Sequence, residues 1–180
     1  MVTSAGGVLA AAAVACGQPA APPSAVAPSD APPRAPAPSP AVPPPDPQPI
    51  ADGPCPYLTA GSVQAANGER VTAVRVSGTG PNQPYPACFF LTYHDAVQLR
   101  TWIVVATPRT AGATIDAVAP VATSDLAELP GGWSGGSQPT PNGAVFAVAR
   151  QGTAVVVTTN QRQTIGARRI AQQVIATLGL

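Results

Sequence analysis

The sequence predicts a single α+β domain, an antiparallel β-sheet of about five to six strands covered by helices. Three observations predict it. Short β-rich runs recur between residues 71 and 159. The last of them leads into a long amphipathic stretch, and the proline-dense part of the chain ends before residue 54. Runs of strands interleaved with a few helices are the pattern of an antiparallel sheet with helices packed on it.

The strand signals come first. Val71-Thr72-Ala73-Val74-Arg75-Val76, Cys88-Phe89-Phe90-Leu91-Thr92-Tyr93 and Arg100-Thr101-Trp102-Ile103-Val104-Val105 are rich in β-branched and aromatic residues. The second and third are close enough to form a hairpin, with His94-Asp95 in the turn between them. Ala144-Val145-Phe146-Ala147-Val148-Ala149 and Ala154-Val155-Val156-Val157-Thr158-Thr159 form the clearest hairpin. They join through Gln151-Gly152, where glycine is expected to supply the positive φ of a tight turn.

Two helices are expected. Residues 111–118 carry a weak helical pattern. Residues 164–178 carry a strong one, with Ala167, Ile170, Ala171, Val174, Ile175 and Leu178 on one face and Arg168, Arg169, Gln172, Gln173 and Thr177 on the other. Gly179 is placed to end it. The Arg168-Arg169 pair lies on the wet side and reads as a solvated face, not a phosphate site.

Ahead of the domain lie two segments of a different kind. Residues 8–15 form an apolar run too short to span a bilayer, ending in Ala13-Val14-Ala15 before Cys16. Residues 1–15 are therefore expected to be a signal peptide. The segment resembles a bacterial lipobox, which implies that Cys16 becomes the lipidated first residue. Ala13 stands where that pattern usually has Leu, and residues 1–7 carry no Lys or Arg, which a start upstream of Met1 would supply. Plain secretion is the alternative, because Ala-Val-Ala is equally a site for the general signal peptidase.

Residues 16–53 are expected to be a Pro/Ala-rich stalk. Fourteen of the chain's 24 prolines lie between residues 17 and 50, and large apolar residues are too few there to close a core. As polyproline II, at ~3.1 Å per residue, the stalk reaches on the order of 100 Å. Its PxxP spacings also suit proline-reading domains, but a spacer outside the cell is the simpler reading.

The folded domain is expected over residues 54–180. Of the three cysteines, Cys55 and Cys88 remain once Cys16 is assigned. In an oxidising compartment they are expected to pair, and the alternative is two buried free thiols.

Composition narrows the function classes. Only 9% of residues are charged, lysine is absent, and nine arginines face eight carboxylates, so nucleic-acid binding is disfavoured. The missing lysine reads as codon usage in a GC-rich genome. A single histidine and two paired cysteines leave no zinc-type spacing, and no alternating oxygen ligands mark a calcium loop. No metal and no cofactor is called for.

Gly132-Trp133-Ser134-Gly135-Gly136 satisfies Gly-x-Ser-x-Gly, the nucleophile elbow of α/β-hydrolases. That chemistry needs a strand-to-helix turn and a histidine after the serine, whereas His94 lies upstream, so a glycine-rich loop is expected and no catalytic residue is assigned. Trp133 is either exposed for contact or folded back onto the domain. Trp133, Ser134, His94 and Asp95 are the candidate binding residues.

The succession of Cys55-Pro56-Tyr57-Leu58, Ala87-Cys88-Phe89-Phe90, residues 131–136 and Ala154-Val155-Val156-Val157-Thr158-Thr159-Asn160-Gln161 before a basic helix resembles an uncharacterised family of actinobacterial secreted proteins. The order of elements is more distantly similar to the PsbP/Mog1-like fold of mycobacterial lipoproteins. That resemblance implies a sheet-and-helix sandwich, and fold alone assigns no function.

The expected function is a non-catalytic cell-envelope lipoprotein on the outer face of the cell membrane, anchored through Cys16. It would act as an accessory or binding module for an envelope protein, glycan or lipid. One alternative is an envelope hydrolase using Ser134, or Asp125 or Glu128, around Trp133. Another is a lipid carrier with an apolar cavity.

Overall fold

The structure, a computed structural model, describes residues 40–180. The expected signal segment, Cys16 and the stalk as far as residue 39 lie outside the described residues.

In chain order the elements are β1 (Ala51–Asp52), α1 (Ala60–Asn67), β2 (Ala73–Val76), β3 (Cys88–Leu91), β4 (Val97–Val105), α2 (Pro108–Val118), β5 (Asp125–Leu129), β6 (Trp133–Thr140), β7 (Gly143–Arg150), β8 (Thr153–Thr159) and α3 (Thr164–Leu178). The strands form one antiparallel sheet of eight in the order β1-β2-β3-β4-β8-β7-β6-β5. The α+β class therefore stands, with eight strands where the sequence pattern suggested five to six.

The additional strands are β1, β5 and β6. The expected glycine-rich loop is corrected in β6, which begins at Trp133 and pairs with β5 on one side and β7 on the other. Its run Trp-Ser-Gly-Gly-Ser-Gln-Pro-Thr has no alternation to reveal it. Its neighbours make it a strand. A Cβ on Gly136 would overlap Ser124 Oγ and press on the Ala119 carbonyl, so the absent side chain is what lets the segment after α2 lie against the sheet.

Helices cover both faces. Cys88, Phe90, Leu99, Ile103, Phe146, Val148, Val155 and Val157 point toward α1 and α3, whose Val63, Ala167, Ile170, Ala171 and Val174 complete that core. Phe89, Trp102, Val104, Val145, Ala147, Ala154 and Val156 point the other way, against Ala111 and Ile115 of α2. The central strands β4, β8 and β7 are thus apolar on both sides, as continuous runs such as Ala154-Val155-Val156-Val157 require.

Local signals place the helix ends. Thr59 Oγ1 accepts from Ser62 N at 3.2 Å to cap α1, a helix the sequence reading did not mark, and Gly68 closes it at φ +77°. Thr107 caps α2 in the same way, with Pro108 in the first turn. The amphipathic stretch folds as α3 over the expected residues and stops at Gly179, φ +63°.

The β7–β8 hairpin forms as expected, but its turn works differently. Gln151, not Gly152, has the positive φ, +54°. Gly152 is needed for another reason: a Cβ there would overlap the Ala106 carbonyl oxygen, and Ala106 N donates to Gly152 O at 2.7 Å.

Cys55 and Cys88 form a disulfide with Cα atoms 5.6 Å apart. It ties the segment before α1 to β3. Ordered structure also starts inside the expected stalk: Ile50 N donates to Val76 O, Gly53 N donates to Val74 O, and Ala51–Asp52 pair with β2. These backbone groups find sheet partners, so the chain is committed to the fold before Cys55.

Candidate functional site

Of the four candidate residues, Trp133 is folded back: it is 2% exposed within the core on the α1/α3 side. Ser134 is exposed on the opposite face of β6, cross-strand from Glu128 and Ala149. It shares a concavity with Asp116 of α2 and Gln151. Because β6 is extended through the Gly-x-Ser-x-Gly motif, no strand-to-helix elbow forms.

His94 and Asp95 occupy the centre of the β3–β4 turn, at φ +60° and +57°. Ala96 N reaches Tyr93 O at 3.4 Å and Thr92 N reaches Ala96 O at 2.8 Å. Both residues are in the left-handed region of a three-residue turn, and both side chains are exposed.

The register separates the two pairs. Ser134 is level with Ala149, Ala154 and Val104, whereas His94 lies beyond Val97 at the other end of β4. From Val104 to Val97 is on the order of 23 Å at ~3.3 Å per residue, and β8 and β7 intervene laterally. The serine and the chain's histidine do not meet. Among the described residues lining the concavity at Ser134, Asp116 stands without a histidine beside it.

A different set of side chains does converge. Asn67, at the end of α1, donates from Nδ2 to Gln98 O, Gln98 Oε1 and Asn160 Oδ1 at 3.3, 3.2 and 3.0 Å, and accepts from Thr159 Oγ1 at 2.6 Å. Asn160 Nδ2 donates to both Glu69 oxygens at 3.0 and 3.1 Å, and Gln161 Nε2 donates to Oε1 at 2.8 Å. Gln98 is fully buried and satisfies the Arg70 carbonyl at 3.0 Å. This network pins the end of α1 to the start of β4 and the end of β8. Its side-chain groups are spent on one another, so it acts as a polar lock. The stretch Thr159-Asn160-Gln161 was visible in the sequence as part of the family-like pattern, but its partner Asn67 was not.

The α2-side face beyond α2 carries a second arrangement. Asp52, Arg75, Phe89, Arg100 and Thr158 are successive cross-strand partners on β1, β2, β3, β4 and β8, so their side chains share one face. Arg75 Nε donates to Asp52 Oδ1 at 3.0 Å, and Arg100 Nη1 donates to Asp46 Oδ2 at 2.7 Å. Arg100 is mostly covered, 16% exposed, while Asp46 is 58% exposed. Beside it opens a groove of about 300 Å³ lined by Phe89, Val97, Arg100, Asn142, Thr158 and Asn160. The guanidinium already takes a carboxylate here, and Asn142 and Thr158 add an amide and a hydroxyl to the groove wall, a set that suits carboxylates and peptide groups.

An apolar concavity of about 430 Å³ lies between Leu129-Pro130 and the end of α3, at Ile175, Ala176 and Leu180. Among the described residues no group of three or more His, Cys, Asp or Glu side chains could hold a metal ion, and no helix is long and apolar enough to cross a membrane.

No curated protein matches the chain. Residues 37–180 match the model of a family described as Domain of unknown function (DUF2020), a span that takes in the whole sheet, its three helices and the segment carrying Asp46 and Asp52; the chain belongs to that family.

Proposed function

We propose that the protein is a non-catalytic accessory or binding module of an actinobacterial cell envelope, its folded part a PsbP/Mog1-like sandwich. It is held on the outer face of the cell membrane by a lipid on Cys16 and displayed on a Pro/Ala-rich stalk. The observation that carries the reading is the disulfide between Cys55 and Cys88 in a chain whose third cysteine directly follows Ala13-Val14-Ala15. Disulfides persist in oxidising compartments outside the cytoplasm. The separation of Ser134 from His94 supports binding over hydrolysis, and the face around Arg100 offers the partner a place to dock.

Mass spectrometry of native protein tests the address. The expected product begins at Cys16, carries acyl mass there and contains the Cys55–Cys88 disulfide. A product retaining residues 1–15 with three reduced thiols overturns the reading. Serine-reactive probes test the chemistry: no labelling of Ser134 is expected, and labelling lost in Ser134→Ala would replace the binding module with a hydrolase.

A further inference from the structure

We infer that the Arg75–Phe89–Arg100 face and the adjacent edge of β2 form a docking site for an extended acidic peptide segment of a partner protein. In this structure the chain's own residues 46–53 fill that site in cis.

The resident segment shows the chemistry. It is extended, it carries Pro47 and Pro49, and Pro47 is buried although its neighbours are exposed. It adds a strand to the sheet: Ile50 N and Gly53 N donate to Val76 O and Val74 O, and Ala51 and Asp52 pair with Val76 and Arg75. Its two carboxylates then take the two arginines, Asp52 on Arg75 and Asp46 on Arg100. The row places these arginines on either side of Phe89, one strand away in each direction. Main-chain pairing along an exposed edge, with side-chain pockets reading selected residues, is the strand-addition mode of peptide recognition.

The hold is firm at Asp46–Arg100, where Arg100 is 16% exposed and Pro47 is buried, and short at the β1 end. β1 is two residues long, and the Asp52–Arg75 pair is solvent-accessible at 40% and 81%, which limits its contribution. Release of the segment exposes the β2 edge, and an unpaired edge is a template for another strand. A partner bearing carboxylates at the same spacing therefore replaces contacts already shown to form. The groove next to Arg100, with Asn142 and Thr158 on its walls, extends the site beyond the Asp46–Arg100 pair and gives a longer partner more to hold than the resident segment has.

This inference deepens the binding-module reading and rests on it. The two fail on different readouts, acyl mass and serine labelling for the one and peptide competition for the other.

The test uses the full chain and a fluorescent peptide with the sequence of residues 43–53, followed by anisotropy. Asp46→Asn combined with Asp52→Asn weakens the resident segment without touching the arginines. This variant should bind the peptide roughly tenfold more tightly than the unmodified chain, the size expected from two partly exposed ion pairs. Adding Arg75→Gln and Arg100→Gln should abolish the gain, as should replacing both aspartates of the peptide by asparagine. Hydrogen exchange at the Ile50 and Gly53 amides should accelerate in the unmodified chain at saturating peptide, because the incoming strand takes their acceptors. Equal affinity of the two chains, no binding to either, binding indifferent to the arginines, or binding without faster exchange at those amides would each overturn the proposal.

Discussion

The guanidinium of Arg150 lies over the indole of Trp133, Cζ 5.1 Å from the ring centroid, and its Nη1 reaches the Gly131 carbonyl at 3.4 Å. The tryptophan that sequence places in a glycine-flanked loop is thus a core residue, and the arginine covers its ring. Replacing Trp133 by Ala should cost about 3 to 5 kcal/mol, as for other large-to-small changes of buried aromatics. Arg150→Ala should cost only about 0.5 to 1 kcal/mol, the size of an accessible cation–π contact. Chemical denaturation of both variants checks the ranking. Similar small losses for the two would show that Trp133 is not buried.

Tyr57 predicts a pH dependence. Burial pushes its phenol up to about 12, partly offset by the hydrogen bond with Thr101; its hydroxyl donates to Pro86 O at 2.8 Å and lies 3.0 Å from Thr101 Oγ1. The folded value is above the ordinary 10, so the neutral form is the one the fold favours. That contribution is fully present below pH 10 and is lost as pH rises from 10 through 12, roughly 2 to 3 kcal/mol in all. Tyr57→Phe should cost about 1 to 2 kcal/mol at neutral pH, because a buried acceptor loses its donor, and should flatten the alkaline decline. Stability measured in both chains across that range decides it.

The Cys55–Cys88 disulfide closes a loop with a sequence separation of 33. In the chain-entropy model such a loop stabilises the fold by about 3 to 4 kcal/mol. Cys55→Ala with Cys88→Ala should lower unfolding stability by that amount, and reduction of the unmodified chain should match it. A loss below about 1 kcal/mol would contradict the entropic account.

The β7–β8 turn predicts opposite signs at adjacent positions. Gln151 pays for its left-handed backbone at φ +54°, so Gln151→Gly should stabilise by about 0.5 to 1 kcal/mol, the relief of strain exceeding the added chain entropy. Gly152→Ala should destabilise by about 1 to 3 kcal/mol, since its Cβ would meet the Ala106 carbonyl oxygen. Thermal melts of the two single variants give the signs directly.

What was legible in the sequence was local. The continuous apolar run of β8, the hairpin partner β7 and the one-sided pattern of α3 identify themselves, because a backbone repeat of two or 3.6 residues sorts apolar from polar side chains without help from elsewhere. The cysteine pairing was legible too, through scarcity: with Cys16 set aside, Cys55 and Cys88 are the two that remain.

The rest depended on neighbours. β6 contains Ser, Gly and Pro and no repeat, yet it is a strand because β5 and β7 satisfy its backbone on both sides. α1 has little amphipathic pattern and is held by its Thr59 cap and by Asn67, whose partners stand 31 and 93 positions away. The same holds for the candidate site. Asp46, Asp52, Arg75, Phe89 and Arg100 form no sequence motif: strand register, by stacking β1 to β4 side by side, brings the last four to one face, and the ion pair with Arg100 brings Asp46 to them. Hydrophobic periodicity is written residue by residue, whereas register is a property of paired strands and exists only once the sheet has formed.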